Sequence, residues 1–322
     1  MTDISEALHN CLNISSFNLI YNHIQISKKL KLVELEEKEN WTEVIRPKVK
    51  WYDVRLKEVW NYRDLIFIFV KRDFSATYKQ TILGPVWFFL GPLFTIFTYT
   101  FVYKNIANIS TDGIPAPLFY LAGTTLWNYF TGCFNGTSYT FVGNAGIFGK
   151  VYFPRLVSPI SIVISNLWKL SIQIGMFMVF WSYSLYKGEI HPNWFIALLP
   201  ILIIILGGIA LGGGIIVSAL TTKYRDLTNF VGVGVSLLMF ASPIIYPVSE
   251  IPAAYKPFLA YNPISPIIEA FRYGFTGAGD IANITGAGDA TGLGYSFIFM
   301  CVILFSGVII FNKSEKSFMD TV

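Results

Sequence analysis

Long uncharged runs alternate with short charged ones along most of this chain. Residues 82–103 carry no charge and are rich in Phe, Leu and Ile. Residues 117–142 are also uncharged but hold many Thr, Gly and Asn. The run 156–186 is interrupted only by Lys169. Residues 194–220 are the most hydrophobic, and 230–248 and 293–311 complete the set. About 20 apolar residues cross the hydrocarbon core of a bilayer as a helix. A spanning segment must also satisfy its own backbone groups, which a helix does. The pattern therefore predicts an all-α integral membrane protein with six transmembrane helices.

Two further segments have a mixed pattern. In 54–74, Leu56, Val59, Trp60, Phe67, Val70 and Phe74 recur at helical spacing. Arg55, Lys57, Glu58, Arg63, Asp64, Lys71, Arg72 and Asp73 supply charge around them. This predicts an N-terminal amphipathic helix in the membrane interface; a helix packed on a partner has the same signature. Residues 257–275 are apolar but broken by Pro263 and Pro266, too short and interrupted to span. They read as re-entrant or interfacial half-helices between the fifth and sixth spans. The stretch 277–294, rich in Gly, Ala and Asp, reads as a loop; its Asn283-Ile284-Thr285 sequon is a chance match. The predicted division is a cytoplasmic segment 1–53, an interface-helix region 54–79, a transmembrane domain 80–312 and a tail 313–322.

Composition agrees with a membrane chain. Of 322 residues, 53% are hydrophobic and only 14% charged, against about 25% charged in a soluble domain. The net charge of +4 is small, so the placement of charge says more than its sum. Lys150 and Arg155 precede the third span, Lys223 and Arg225 the fifth, and Lys313 and Lys316 follow the sixth. The alternate loops hold only Lys104, Lys187, Lys256 and Arg272. Basic residues favour the cytoplasmic side, so both termini are expected there. The polar start, with Asp3 and Glu6, lacks a basic segment followed by an apolar run, and no cleavable signal peptide is expected. The mixed-charge run at 27–40 reads as a solvated helix or arm, and Arg225-Asp226 as a local ion pair.

Catalytic chemistry has little to stand on. The sequence has no Gly-x-x-x-x-Gly-Lys-Ser/Thr loop, no His-Glu-x-x-His and no Gly-x-Ser-x-Gly. Cys11, Cys133 and Cys301 are far apart, as are His9, His23 and His191, so no metal site is expected. The spans hold almost no carboxylates, which argues against an ion-coupled flippase. A transferase acting on lipid-linked sugars would need acids or histidines at the membrane face, and few are present. If the chain is a pump, its energy comes from another chain.

Four stretches carry a family likeness. The first runs from Lys71-Arg72-Asp73-Phe74 through Tyr78-Lys79-Gln80-Thr81-Ile82-Leu83-Gly84-Pro85-Val86-Trp87. The second is Phe119-Tyr120-Leu121-Ala122-Gly123 with Leu126-Trp127-Asn128-Tyr129-Phe130. The third is Asn144-Ala145-Gly146-Ile147-Phe148-Gly149-Lys150-Val151-Tyr152-Phe153-Pro154-Arg155. The fourth is Lys223-Tyr224-Arg225-Asp226-Leu227, followed by Ser242-Pro243-Ile244-Ile245-Tyr246-Pro247 and Asn262-Pro263-Ile264-Ser265-Pro266. Together they resemble the permease subunits of ABC exporters for polysaccharides and polyol phosphates, of the O-antigen, capsule and teichoic acid type.

The resemblance implies a homodimer in the bacterial inner membrane, bound to two copies of a separate ABC ATPase. ATP and Mg would sit on that partner and no cofactor on this chain. It implies export of a lipid-linked glycan to the outer face, with no nucleic-acid partner. It also implies a cytoplasmic coupling helix within 143–155, where Gly146, Ile147, Phe148, Lys150, Tyr152 and Arg155 would meet the ATPase. Ile147, Phe148 and Tyr152 are expected to be exposed, either in a partner groove or as interfacial anchors. Trp127, Tyr129 and Phe130 are expected to line a glycan conduit, with Lys169 facing it; helix packing is the competing reading of those rings. Lys71 and Arg72 stand where a lipid diphosphate headgroup could enter, and positive-inside anchoring accounts for them equally. Export of a drug or small lipid by the same fold is the alternative function.

Overall fold

The computed structural model describes residues 56–78, 86–148, 150–151, 153–221, 226–252, 254–256, 261–279, 284–285 and 292–319. The run 27–40, Tyr152 and Arg225 lie outside the described residues. Among the described residues every regular element is a helix. In chain order they are α1 (Leu56–Asn61), α2 (Arg63–Tyr78), α3 (Trp87–Tyr99), α4 (Ala116–Ser138) and α5 (Thr140–Phe148), then α6 (Val157–Tyr186), α7 (Leu199–Thr221), α8 (Leu227–Phe240), α9 (Ser265–Thr276) and α10 (Leu293–Met319). Helix α3 contains Pro92 and continues as a π-helical segment, Thr100–Ile106. A 3₁₀ turn, Trp194–Leu198, leads into α7, and the Asn193 side chain accepts from the Phe195 N–H there.

Among the described residues, three segments are long and apolar enough to cross a bilayer: Val157–Tyr186, Trp194–Thr221 and Leu293–Lys313. The outer surface suits that solvent. Phe94, Phe97, Phe230, Val233 and Leu237 are each more than 60% exposed. Rings displayed in that density suit contact with lipid. Among the described residues the protein is all-helical, with the surface of an integral membrane protein.

Helix α4 is central, with α6 on one side and α7 on the other; α10 packs on the far side of α7, and α2 along α6. Glycines set these distances. A Cβ on Gly213 would lie 2.8 Å from the Phe134 ring, and one on Gly214 2.6 Å from Thr137, so α7 meets α4 closely. On the opposite face, a Cβ on Gly212 would lie 2.8 Å from Ile303 and Leu304 backbone atoms of α10. Small residues let membrane helices approach this closely, where dispersion replaces the hydrophobic effect as the attraction.

The two ends of the bundle are distinct. One end gathers Val59, Ile66 and Phe69 with Phe141, Phe148, Phe153, Ile215 and Phe311 in a buried aromatic cluster. The Phe141 and Phe311 rings stack at 4.5 Å. The other end is capped by α9. Its carbonyls Gly274 and Thr276 accept from Asn193 N and His191 N, both at 3.0 Å, and Trp181 Nε1 donates to Phe275 O at 2.7 Å. Gly277 ends α9 at φ 75°, and a Cβ there would strike the His191 carbonyl.

One expectation changes at this end. Arg272, read from the sequence as a loop charge, is 1% exposed inside α9. Its Nη1 donates to Glu269 Oε1 at 2.7 Å, its Nη2 to Pro243 O at 2.8 Å, and its guanidinium lies 3.8 Å from the Phe119 ring centroid. The i, i+3 spacing of Glu269 and Arg272 on one helix face makes the pair possible. A charge scan of loops does not see it.

Candidate functional site

The α4–α6 seam opens on one side into a groove. Gly132 and Gly136 make the seam tight: a Cβ on Gly132 would lie 2.6 Å from Asn166 Oδ1, and one on Gly136 2.6 Å from Ile162 Cγ2. Where α2 leans on α6, with Phe74 and Trp168 edge-to-face at 5.5 Å, a cavity of about 800 Å³ opens. Phe67, Val70 and Phe74 of α2 wall it with Ile162 and Trp168 of α6. Lys71 and Lys169 also line it.

A second hollow of about 310 Å³ shares Gly132, Asn166 and Lys169 with the first. Its walls are polar: Asn128, Thr131 and Asn135 from α4, Gln173 from α6. The Thr131 hydroxyl donates to its own helix at Trp127 O, 3.0 Å away. The carboxamides of Asn128 and Asn135 make no side-chain hydrogen bond among the described residues. Asn166 Nδ2 donates to Ile162 O at 2.9 Å. Gln173 Oε1 and Ser165 Oγ are buried without a hydrogen-bond partner among the described residues. Lys169, half-buried and inside the longest helix, forms no ion pair among the described residues. The result is an apolar trough leading into a carboxamide-lined recess, with a cation at the junction.

The structure separates the residues expected along a conduit. Trp127 and Phe130 are 6% and 3% exposed, their rings 5.3 Å apart within the packed core. Their face of α4 is turned from the polar recess, which Asn128 enters instead. Phe130 borders a separate, apolar hollow beside α7 and α10. Tyr129 touches the recess but is buried, its hydroxyl set against Gly207, where a Cβ would lie 2.6 Å away. Lys169 faces the recess. Of the two basic residues proposed at a headgroup entrance, Lys71 lines the cavity, whereas Arg72 pairs with Asp73 at 2.8 Å and lies over the Phe69 ring at 4.7 Å.

The segment 143–155 also divides. Gly146, Ile147 and Lys150 are exposed. The expected exposure of Phe148 does not hold: it is 6% exposed, 5.5 Å from the Phe153 ring and 6.1 Å from Phe141. Arg155 is buried as well, its guanidinium 5.5 Å over the Phe148 ring. Two neighbouring rings and the Arg155 guanidinium offer Phe148 more burial inside the chain than a surface position would. Asn144 Nδ2 holds the segment to α6 through Ser158 Oγ at 3.0 Å.

Sequence reasoning did not single out Asn135, Asn166 or Gln173. The signal was there: Gly132 and Gly136 sit four apart, the small-residue spacing of a close membrane-helix contact. Asn128 and Asn135 are seven apart, on the same face as that pair.

Comparison with known proteins fixes the family. The ABC-2 type transporter family matches residues 64–276, about two thirds of the chain. This chain belongs to the ABC-2 type transporter membrane family. Helices α2 to α9, and with them the whole groove, fall inside the matched region. The ABC-2 chain is 28% identical over 264 residues to an O-antigen export system permease protein RfbA of Klebsiella pneumoniae, covering 80% of this chain and 94% of that one. Against RfbA of Myxococcus xanthus it is 27% identical over 219 residues, 67% of this chain and 82% of the relative. Against the polysialic acid transport protein KpsM of Escherichia coli it is 22% identical over 255 residues, covering 78% and 93%. The family consists of membrane subunits of transporters, so the chain is a transport subunit rather than an enzyme.

Proposed function

We propose that this chain is the permease subunit of an ATP-driven exporter that carries a lipid-linked polysaccharide from the cytoplasmic side of a bacterial inner membrane to its outer face. The observation that carries this reading is the similarity to O-antigen and capsule export permeases along nearly the full length of those relatives. In this reading α3 with its π-helical extension, α4, α6, α7, α8 and α10 are the six spans. The aromatic cluster around Phe148 and Phe311 marks the cytoplasmic end, because Lys150, Arg155 and Lys313 lie toward it. Helix α9 is then a half-helix on the outer side. Two copies of the chain enclose the wide path that a hydroxyl-rich polymer needs. A separate ABC ATPase, also in two copies, holds ATP and Mg and drives the cycle.

The exposed Ile147 and Lys150 are the residues of 143–155 best placed to meet that ATPase. Ile147→Asp would set a carboxylate in an apolar groove of the partner. The expected result is loss of the co-purifying phosphate-loop subunit and of surface glycan, with the variant's own unfolding midpoint unchanged. Full association and full export in the variant would refute the coupling assignment. Normal surface glycan in cells lacking the chain would refute the export reading itself.

A further inference from the structure

We propose that the groove between α2, α4 and α6 binds the lipid-proximal end of the exported molecule: lipid chain in the apolar trough, phosphate at Lys169 and Lys71, and the first sugar in the recess of Asn128, Asn135 and Gln173. The inference rests on the export reading and deepens it by assigning a binding site within this chain.

Lys169 carries an ammonium group within helix α6. An ammonium inside a membrane helix is costly and is ordinarily paired or turned to a polar cavity. Here it forms no ion pair among the described residues, and it lines both hollows. Lys71 adds a second cation to the larger one. Asp73 borders the same cavity, but Arg72 neutralises it at 2.8 Å. The fixed charge facing the groove is therefore positive, and the complementary ligand group is an anion.

The surroundings narrow the class. On one side of Lys169 the wall is Phe67, Val70, Phe74 and Ile162, which offers hydrogen bonds to nothing and suits a hydrocarbon chain. On the other side four carboxamides, those of Asn128, Asn135, Asn166 and Gln173, line a recess. A carboxamide offers two donors and an acceptor with two lone pairs, the complement of a vicinal diol. Apolar trough, cation and carboxamide recess follow in the order of a lipid, a phosphate and a sugar. A bilayer phospholipid shares the first two parts, and only the recess distinguishes a glycosylated ligand from it.

The test uses the full chain with its ATPase in nanodiscs containing phosphatidylglycerol. The probes are farnesyl diphosphate, farnesyl diphosphate esterified to glucose, and farnesol. The expected order of affinity is glycosylated diphosphate over plain diphosphate, with farnesol weakest. Lys169→Met should weaken both phosphate probes about tenfold or more, as loss of a charge-assisted contact does, and leave farnesol unchanged. Lys169→Arg should restore binding. Asn128→Leu should remove the advantage of the sugar and leave the plain diphosphate unaffected. Lys169→Met and Asn128→Leu exchange polar for apolar side chains in a bilayer-embedded protein, and their unfolding midpoints are measured alongside. If phosphatidylglycerol displaces both phosphate probes equally, or all probes bind the Lys169→Met variant like the wild type, the site is refuted. Export of surface glycan by the wild-type chain is scored separately. A chain that exports while binding no probe in the groove refutes the site alone; a chain that exports no glycan refutes the reading beneath it.

Discussion

The Gly212–Gly307 contact gives the sharpest test of how this bundle is held together. Replace Gly212 with Ala, and the new Cβ lies 2.8 Å from the carbonyl carbon of Ile303 and from the amide nitrogen of Leu304. Ordinary contact starts at 3.4 Å, so α7 and α10 must separate by about 0.6 Å. No rotamer change relieves it, because the atoms struck are backbone. Overpacking of this kind costs about 1–3 kcal/mol. A gap of about 0.5–1 Å elsewhere along the seam forfeits roughly a quarter to a half of each contact's attraction. Against this stands the helix preference of Ala over Gly, about 0.5–1 kcal/mol. The expected balance is a net loss of about 1–2 kcal/mol. Gly175 in α6 provides the control, since a Cβ there meets nothing within 4 Å. Gly175→Ala keeps only the propensity gain and should stabilise by about 0.5–1 kcal/mol. The assay is reversible unfolding in mixed micelles titrated with denaturing detergent, followed by Trp fluorescence. Equal stability of the two variants, or a stabilised Gly212→Ala, would refute a bundle held by close backbone approach.

Two further outcomes are expected from the same assay. Arg272→Met leaves the buried Glu269 without its 2.7 Å partner and should cost about 3–5 kcal/mol, while Arg272→Met with Glu269→Leu should recover most of that loss; a double variant no more stable than the single one counts against the ion pair as the cause. Phe148→Ala empties a site among Phe141, Phe153 and Arg155 and should cost about 3–5 kcal/mol even with no ATPase present; an unchanged midpoint would put Phe148 at the surface after all.

What the chain reveals without coordinates follows from the length scale of each signal. Uncharged runs near 20 residues announced the long helices, because a bilayer enforces that length over a whole segment. The start of α6 within a residue of its uncharged run, and of α10 at Leu293, show how closely the pattern tracks the element. Side-chain direction is a finer matter, decided by about 100° per residue and by neighbours far off in sequence. Trp127 and Asn128 are adjacent, yet one fills the core and the other enters the groove. The choice between them depends on which face of α4 meets α7, and that is set by glycines some 80 residues downstream. Phe148 turned inward partly for a similar reason: Phe141 is on its own helix and Phe153 five residues on, but Phe69, Ile215 and Phe311 of the same cluster come from distant segments that only the fold brings together.

The same distinction separates two basic residues carried by helices of the bundle. Arg272 and Lys169 are both cations in apolar surroundings. Arg272 is enclosed: a carboxylate, a backbone carbonyl and an aromatic face answer its guanidinium, and only Nε is left over. Its planar fork suits several fixed partners at once, and it ties α9 to the loop after α8 and to the start of α4. Its one unpartnered nitrogen, Nε, is buried and out of a ligand's reach. Lys169 has the opposite environment, a point charge on a flexible stem beside open volume, with carboxamides near it and the Asp73 carboxylate of the larger cavity paired to Arg72 instead. Retaining such a charge in a membrane helix lowers stability unless something binds it. The position of the groove, between the helix that leads into the membrane and the two helices at the centre of the bundle, places that binding where an amphiphile could enter from the bilayer. A site for an anionic ligand needs a cation that is not already satisfied by its own fold, and Lys169 meets that requirement where Arg272 does not.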